Sequence, residues 1–191
     1  MSIEKTALVL LADGFEEVEA VTPIDYLRRA GIAVTTASIG DGLGVRGARG
    51  ISINADVSFG DLVKRGKAHD GPWDAVIVPG GIPGAPNIAA SREAGALIAG
   101  MAAAGKLVCA ICASPALVLA PLGILDGRRF TCYPGMEEKV PNGEYLAEPV
   151  VTDGNVVTSR GAGTSGLFSV AIIDRLLGKT DGEKIAKAVL L

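Results

Sequence analysis

Cys112 is the residue around which a reaction is most readily built. It stands between a short apolar run, residues 107–111, and Pro115, which opens a second apolar run over 116–120. The first run follows the breaker Gly105 and has the length and composition of a buried strand. Proline suits the first turn of a helix, so the second run is read as a helix. A cysteine where a strand turns into a helix has the geometry of a nucleophile elbow, with sulfur where hydrolases carry a serine hydroxyl. The free N–H groups and the dipole of a helix start favour negative charge there, so the thiol is expected to ionise more easily than a free cysteine. The N–H of Ala113 is placed to face a developing oxyanion. The alternative is an ordinary buried cysteine, since free cysteines are among the most buried residues.

Two more stretches belong beside it. Pro79-Gly80-Gly81 directly follows the apolar run 74–78. Paired glycines allow close backbone approach, and their N–H groups can point into a site, although such a pair also serves simply as a turn. Glu16, Glu17 and Glu19 form an acidic run at the first strand-to-helix crossover. Acids at a helix start complement its dipole, and that is the reading for Glu17. Glu16 and Glu19 are three apart and share a face, with Glu19 a candidate to point inward. Cys109 and Cys112 form a C-x-x-C, but Cys109 falls inside the strand run and is read as structural rather than redox-active. The sole histidine, His69, lies in the polar loop 67–71 and is read as solvated. Two cysteines and a remote histidine do not make a zinc site, so no metal is expected.

The elements that must position these residues alternate. Apolar runs at 6–12, 32–39, 74–78 and 107–111 read as buried parallel strands. A helix over 15–30 carries Val18, Val21, Ile24 and Leu27 at helical spacing, with Pro23 as a kink or restart. The glycine-rich 40–50 is a loop or hairpin, with a short strand at 50–54 behind it. Asp56 or Ser58 caps a short helix through 65, and a longer helix covers 91–104. A strand over 129–132 and a short helix near 134–140 follow. Residues 149–152 and 155–159 resemble a hairpin around Asp153-Gly154, and helices close the chain over 164–177 and 181–190. This order predicts a doubly wound, mainly parallel sheet with helices on both faces, in one domain spanning 1–191. Ligands bind such sheets at the carboxyl ends of the strands, where the elbow, the glycine pair and the acidic run would meet.

Composition removes several classes. With 191 residues, 49% of them hydrophobic but only 4% aromatic, the core is aliphatic. A formal charge of −3, with basic pairs only at Arg28-Arg29 and Arg128-Arg129, leaves no footprint for nucleic acid. No apolar run approaches the ~18 residues of a membrane span. Three cysteines and an N-terminus without a signal-peptide pattern point to reduced thiols and a cytoplasmic location.

The segments 8–19, 28–31, 78–81, 110–113 and 158–165 together resemble the ThiJ/PfpI superfamily, and within it the parkinsonism-associated protein deglycase branch. The similarity runs in order along nearly the whole chain. The resemblance implies a flavodoxin-like, glutamine-amidotransferase-like sandwich and a homodimer. It implies Cys112 as nucleophile or redox-sensitive thiol and Glu19 as the carboxyl hydrogen-bonded to that sulfur. It further implies backbone oxyanion donors at the glycine pair, Gly80 and Gly81, and at Ala113, and a pocket lined by Glu16 and Arg49. A thiolate and a carboxylate in contact share one proton. If the helix start stabilises the thiolate, that proton belongs on Glu19, which can then deliver it to substrate. In the protease-like branches a histidine follows the cysteine. Here Ala113 does, which disfavours a Cys-His protease. Tyr133 stands where the animal deglycases carry histidine, and a phenol cannot act as a base near pH 7.

The expectation is therefore a cofactor-independent cysteine enzyme acting on reactive α-oxoaldehydes, of glyoxalase or deglycase type. Its substrate would be a small aldehyde or a glycated protein. The alternatives are an oxidative-stress sensor or chaperone working through oxidation of Cys112 to the sulfinate, and a silent structural homologue.

Overall fold

The computed structural model describes residues 4–40, 42–68 and 71–191; His69 lies outside them. Elements run in the order β1 (Thr6–Leu11), α1 (Glu17–Arg29), β2 (Ala33–Ser38), β3 (Gly44–Arg46), β4 (Ser52–Asn54), β5 (Val57–Ser58), α2 (Phe59–Lys64), β6 (Ala75–Val78), α3 (Gly84–Ala90), α4 (Arg92–Ala103), β7 (Leu107–Ile111), β8 (Arg129–Phe130), β9 (Glu144–Tyr145), β10 (Val150–Asp153), β11 (Val156–Ser159), α5 (Ser165–Leu176) and α6 (Lys179–Ala188). Seven strands form one sheet in the order β10-β11-β7-β6-β1-β2-β5. Every pairing in it is parallel except β10 with β11, the hairpin turning at Gly154.

Side chains of successive strand residues point to opposite faces, and β1 divides accordingly. Leu8 and Leu10 join Val76, Val78 and the apolar sides of α2, α3 and α4. Ala7, Val9 and Leu11 join Ile77, Cys109 and residues of α1 and α5. The sheet is thus covered on both faces, which is why its central strands read as unbroken apolar runs. This is the flavodoxin-like α/β sandwich that the alternation predicts.

Several local readings change. Ser58, not Asp56, caps α2, accepting from the Asp61 N–H at 3.2 Å. The Asp56 carboxylate instead takes the N–H and hydroxyl of Thr36 at 2.8 and 2.9 Å and ties a short edge strand, β5, to β2. The segment after β6 contains a helix, α3, for which the sequence reading assigns no element. The stretch after Cys112 is a single π turn, Pro115–Leu119, followed by a 3₁₀ turn, Ala120–Leu122. Pro121 accounts for this: it brings no N–H and its ring crowds the carbonyl four residues back, so the last turns cannot keep α spacing. Arg129–Phe130 pairs with Glu144–Tyr145 in a small separate sheet rather than extending the main one.

Candidate active site

The elbow is held from three sides. Cys112 has φ 64°, a left-handed conformation that costs a non-glycine residue about 1–3 kcal/mol. Its N–H donates to the Ser159 carbonyl at 2.9 Å, and its carbonyl accepts the Tyr133 N–H at 2.8 Å. Two residues on, the Ser114 hydroxyl donates to the Pro79 carbonyl at 2.6 Å. Ends of β7, β11 and β6 and the segment after β8 therefore share the fixing of one backbone position.

Glu19 reaches that position from the first turn of α1. Its side chain is 1% exposed. One carboxylate oxygen, Oε2, accepts the Gly80 N–H at 2.9 Å, and the carboxyl hydrogen-bonds Cys112. Gly80 has no room for a side chain: a Cβ there would lie 2.6 Å from Glu19 Oε2 and 2.7 Å from Cys112 Cβ. Its N–H is committed to Glu19, so Gly80 orients the carboxyl and is not a free oxyanion donor as the sequence reading had it. The N–H groups of Gly81 and Ala113 point instead at the Cys112 sulfur.

Burial is the first cause of both proton affinities. It raises Glu19 to about 7, helped by the charge of Glu16 and opposed by the hydrogen bonds from Cys112, Gly80 and Ala162. It also raises the Cys112 thiol, and Glu19 adds to it by charge and by hydrogen bond, to about 12, against the pull of the Ala113 and Gly81 N–H groups. The expectation of a thiol more acidic than free cysteine is thereby corrected. The two N–H groups act in the expected direction, but Glu19 overrides them while it is ionised. A thiolate forms cheaply only when Glu19 keeps the proton, because two adjacent buried charges repel.

The remaining residues form a pocket of about 320 Å³ over the sulfur. Glu16, Arg49, Gly81, Ala113 and Tyr133 all line it. Ala48, Ile82, Met136 and Ala162 line it as well. Those four carry no chemical signature and no sequence spacing marks them. Glu16 also caps its own helix, its carboxylate accepting the Glu19 N–H at 2.8 Å. Cys109 and Cys132 are both fully buried, on opposite faces of the sheet. Limited iodoacetamide treatment of the native protein should therefore modify Cys112 first. Mass spectrometry finding adducts on Cys109 or Cys132 ahead of it would contradict this geometry.

Glu17 also departs from its sequence reading. It does not simply complement the helix dipole in solvent; it is 5% exposed. Its Oε1 accepts the Arg49 N–H at 2.6 Å and the Ile51 N–H at 3.3 Å. A Cβ on Gly47 would sit 2.4 Å from that oxygen, so the loop closes on the carboxylate through a glycine. The clamp carries Ala48 and Arg49 to the pocket wall. Glu17→Ala leaves two N–H groups without their acceptor and should lower the unfolding free energy by about 1–3 kcal/mol, measured by urea denaturation.

The fold and site define an α/β sandwich with a cysteine at a strand-to-helix elbow and a buried carboxyl against its sulfur. The DJ-1/PfpI family model matches residues 5–175, and the chain belongs to the DJ-1/PfpI family. It is 39% identical to Protein dj-1beta of Drosophila melanogaster, over 99% of this chain and 98% of that protein. It is 33% identical to the glutathione-independent glyoxalase DJR-1.2 of Caenorhabditis elegans, over 100% of this chain and 99% of that one. Against Protein DJ-1 homolog B of Arabidopsis thaliana identity is 39% over 96% of this chain, which spans only 41% of that longer protein. The crystal structure of Drosophila melanogaster DJ-1beta superimposes with a TM-score of 0.91 at 38% identity, covering 99% of each chain. No helix among the described residues is long and apolar enough to cross a membrane.

Proposed function

We propose that this protein is a cysteine enzyme that converts α-oxoaldehydes to hydroxyacids without a cofactor. The observation that carries the reading is the buried carboxyl of Glu19, hydrogen-bonded to Cys112 and fixed by the Gly80 N–H. The Cys112 thiolate adds to the aldehyde carbon, and Glu19 delivers its proton to the oxygen, giving a hemithioacetal. The Gly81 and Ala113 N–H groups stabilise the oxygen while it carries charge. The Glu19 carboxylate then removes the proton from the former aldehyde carbon and returns it to the neighbouring carbonyl carbon through an enediol, leaving a thioester. Water cleaves the thioester, releasing the hydroxyacid and restoring the thiol. One carbon is oxidised as its neighbour is reduced, so the balance needs only water. The glyoxalase name of the Caenorhabditis elegans relative supports the same reaction type. The test is turnover of methylglyoxal by pure protein with chromatographic detection of lactate; no lactate above the buffer control refutes the reading.

A second reading rests on one observation: of the three cysteines only Cys112 is not fully buried. The same N–H groups and protonated carboxyl that would hold an oxyanion also suit a cysteine sulfinate, as in an oxidative-stress sensor. Peroxide treatment that adds oxygens to Cys112 alone, in a protein without turnover, would favour it.

The working form is proposed to be a homodimer. On α1, Leu27 packs into the core, whereas Val18 and Val21 are 48% and 46% exposed, beside Ile51 at 58%. The uncovered apolar residues of α1 thus lie in its first half, and the loop that Glu17 ties to the start of α1 adds Ile51. Light scattering at micromolar concentration is expected to give twice the monomer mass, and a monomer would refute the assembly.

A further inference from the structure

Beyond the pocket over Cys112 lies a shallower groove of about 430 Å³, lined by Tyr133, Pro134, Arg160, Ala162 and Thr164. Tyr133 and Ala162 line both spaces, so the two adjoin. Gly161, which also lines the groove, places its Cα edge close to both: a Cβ there would meet Glu19 Oε1 at 3.8 Å and the Tyr133 ring at 3.7 Å. A pocket of a few hundred Å³ is the size that encloses drug-sized molecules, and a three-carbon dicarbonyl fills only a small part of it.

Charge in the groove is not balanced. Arg160 is half-buried. Among the described residues no carboxylate lies within ion-pairing distance of its guanidinium, and the arginine side chains that donate hydrogen bonds, Arg28, Arg29, Arg128 and Arg175, do not include it. The Glu137 carboxylate accepts the Gly135 N–H at 2.7 Å. Arg49 lines the pocket over the sulfur and is likewise without a carboxylate partner among the described residues. Arg28, Arg29 and Arg129 each sit against an aspartate, and what separates Arg160 from the other arginines without one is its place in a groove beside the Cys112 pocket. A guanidinium left unpaired and partly desolvated beside a reactive centre is suited to a planar oxyanion.

We propose that the groove is a second subsite in which Arg160 recognises an anionic group, a carboxylate or a phosphate, several bonds from the carbonyl that Cys112 attacks. The substrate class is then an α-oxoaldehyde, or an adduct of one, with an acidic tail. This rests on the enzymatic reading above, but it can be tested without turnover.

The probes are three thiol alkylators that share one warhead: N-bromoacetyl-β-alanine, its primary amide, and N-bromoacetylethanolamine phosphate. In each the Cys112 sulfur displaces bromide, forming a C–S bond and releasing the thiol proton. The carboxylate and phosphate probes should alkylate Cys112 about 10- to 100-fold faster than the amide. Arg160→Ala should remove that preference and Arg160→Lys should restore part of it. Whichever acid keeps the larger ratio identifies the source of the anion. The same ratio in wild type and Arg160→Ala, or a loss that falls equally on the amide probe, overturns the proposal. If the ratio behaves as expected while methylglyoxal is not turned over, the subsite stands and the enzymatic reading alone falls.

Discussion

Replacing Cys112 with serine is expected to lower α-oxoaldehyde turnover by about 10³-fold or more, with the fold intact. The two side chains differ by one atom, so packing against both core clusters is kept. The chemistry is not. A hydroxyl has no accessible anion near neutral pH, and the carboxyl against it is that of Glu19, whose own affinity for protons sits at about 7. Such a carboxylate can share a proton with a thiol but cannot strip one from an alcohol. Steady-state kinetics with methylglyoxal and a thermal melt on the same preparation check this. If the serine variant melts normally and retains more than a tenth of the activity, Cys112 is not the nucleophile and the elbow serves another purpose. Serine at Cys109 or Cys132 should leave Cys112 chemistry in place, since both are fully buried and neither lines the pocket.

The sequence revealed the parts of this site that local rules govern. An apolar strand, a cysteine and a proline three residues on are enough to place Cys112 at a turn. The three-residue spacing of Glu16 and Glu19 puts both on one face of α1. What local rules do not govern was lost. Glu17 reads only as an acid complementing the helix dipole because nothing in its neighbourhood says that residues 47–51 will fold back and present two N–H groups to it. The helix α3 begins in a run of proline and glycine with no side-chain cap. It forms because Ile88 is buried and the Gly84 N–H finds the Gly14 carbonyl at 3.0 Å. The acidity of Cys112 was misjudged for the same reason. The helix-start N–H groups are visible in sequence, whereas the burial of the sulfur and the charge of a carboxyl brought in from 93 residues away are not, and burial first and the carboxyl second outweigh the N–H groups. The lining residues Ala48, Ile82, Met136 and Ala162 give shape without chemistry, and shape is the least legible property of a chain.

Glu19→Gln is expected to reduce turnover by about 10²–10⁴-fold while leaving the fold and the access to Cys112 unchanged. The amide keeps the shape and an acceptor for the Gly80 N–H but has no proton to transfer. The pH profile separates this from a loss of structure. In the wild type the competent form carries one proton between sulfur and carboxyl. Below about 7 both groups are protonated, and above about 12 neither is. Activity should therefore rise with pH through about 7 and then stay level over the accessible range. In the variant that lower limb should vanish, and alkylation of Cys112 should follow the thiol alone, freed of the charge that pushed it up. Stability supplies a second readout with a definite sign. The folded carboxyl binds its proton more tightly than the unfolded one, from 4.5 to about 7, so its contribution is full below 4.5 and is lost as pH rises through about 7. That shift corresponds to about 3 kcal/mol. Urea unfolding should thus find wild type and Glu19→Gln alike near pH 4, with the variant more stable at pH 8. If the variant keeps wild-type turnover, the proton is moved by another group. If it loses turnover but shows no gain in stability at pH 8, Glu19 is not held against its ionisation, and the shared-proton account of the site fails with it.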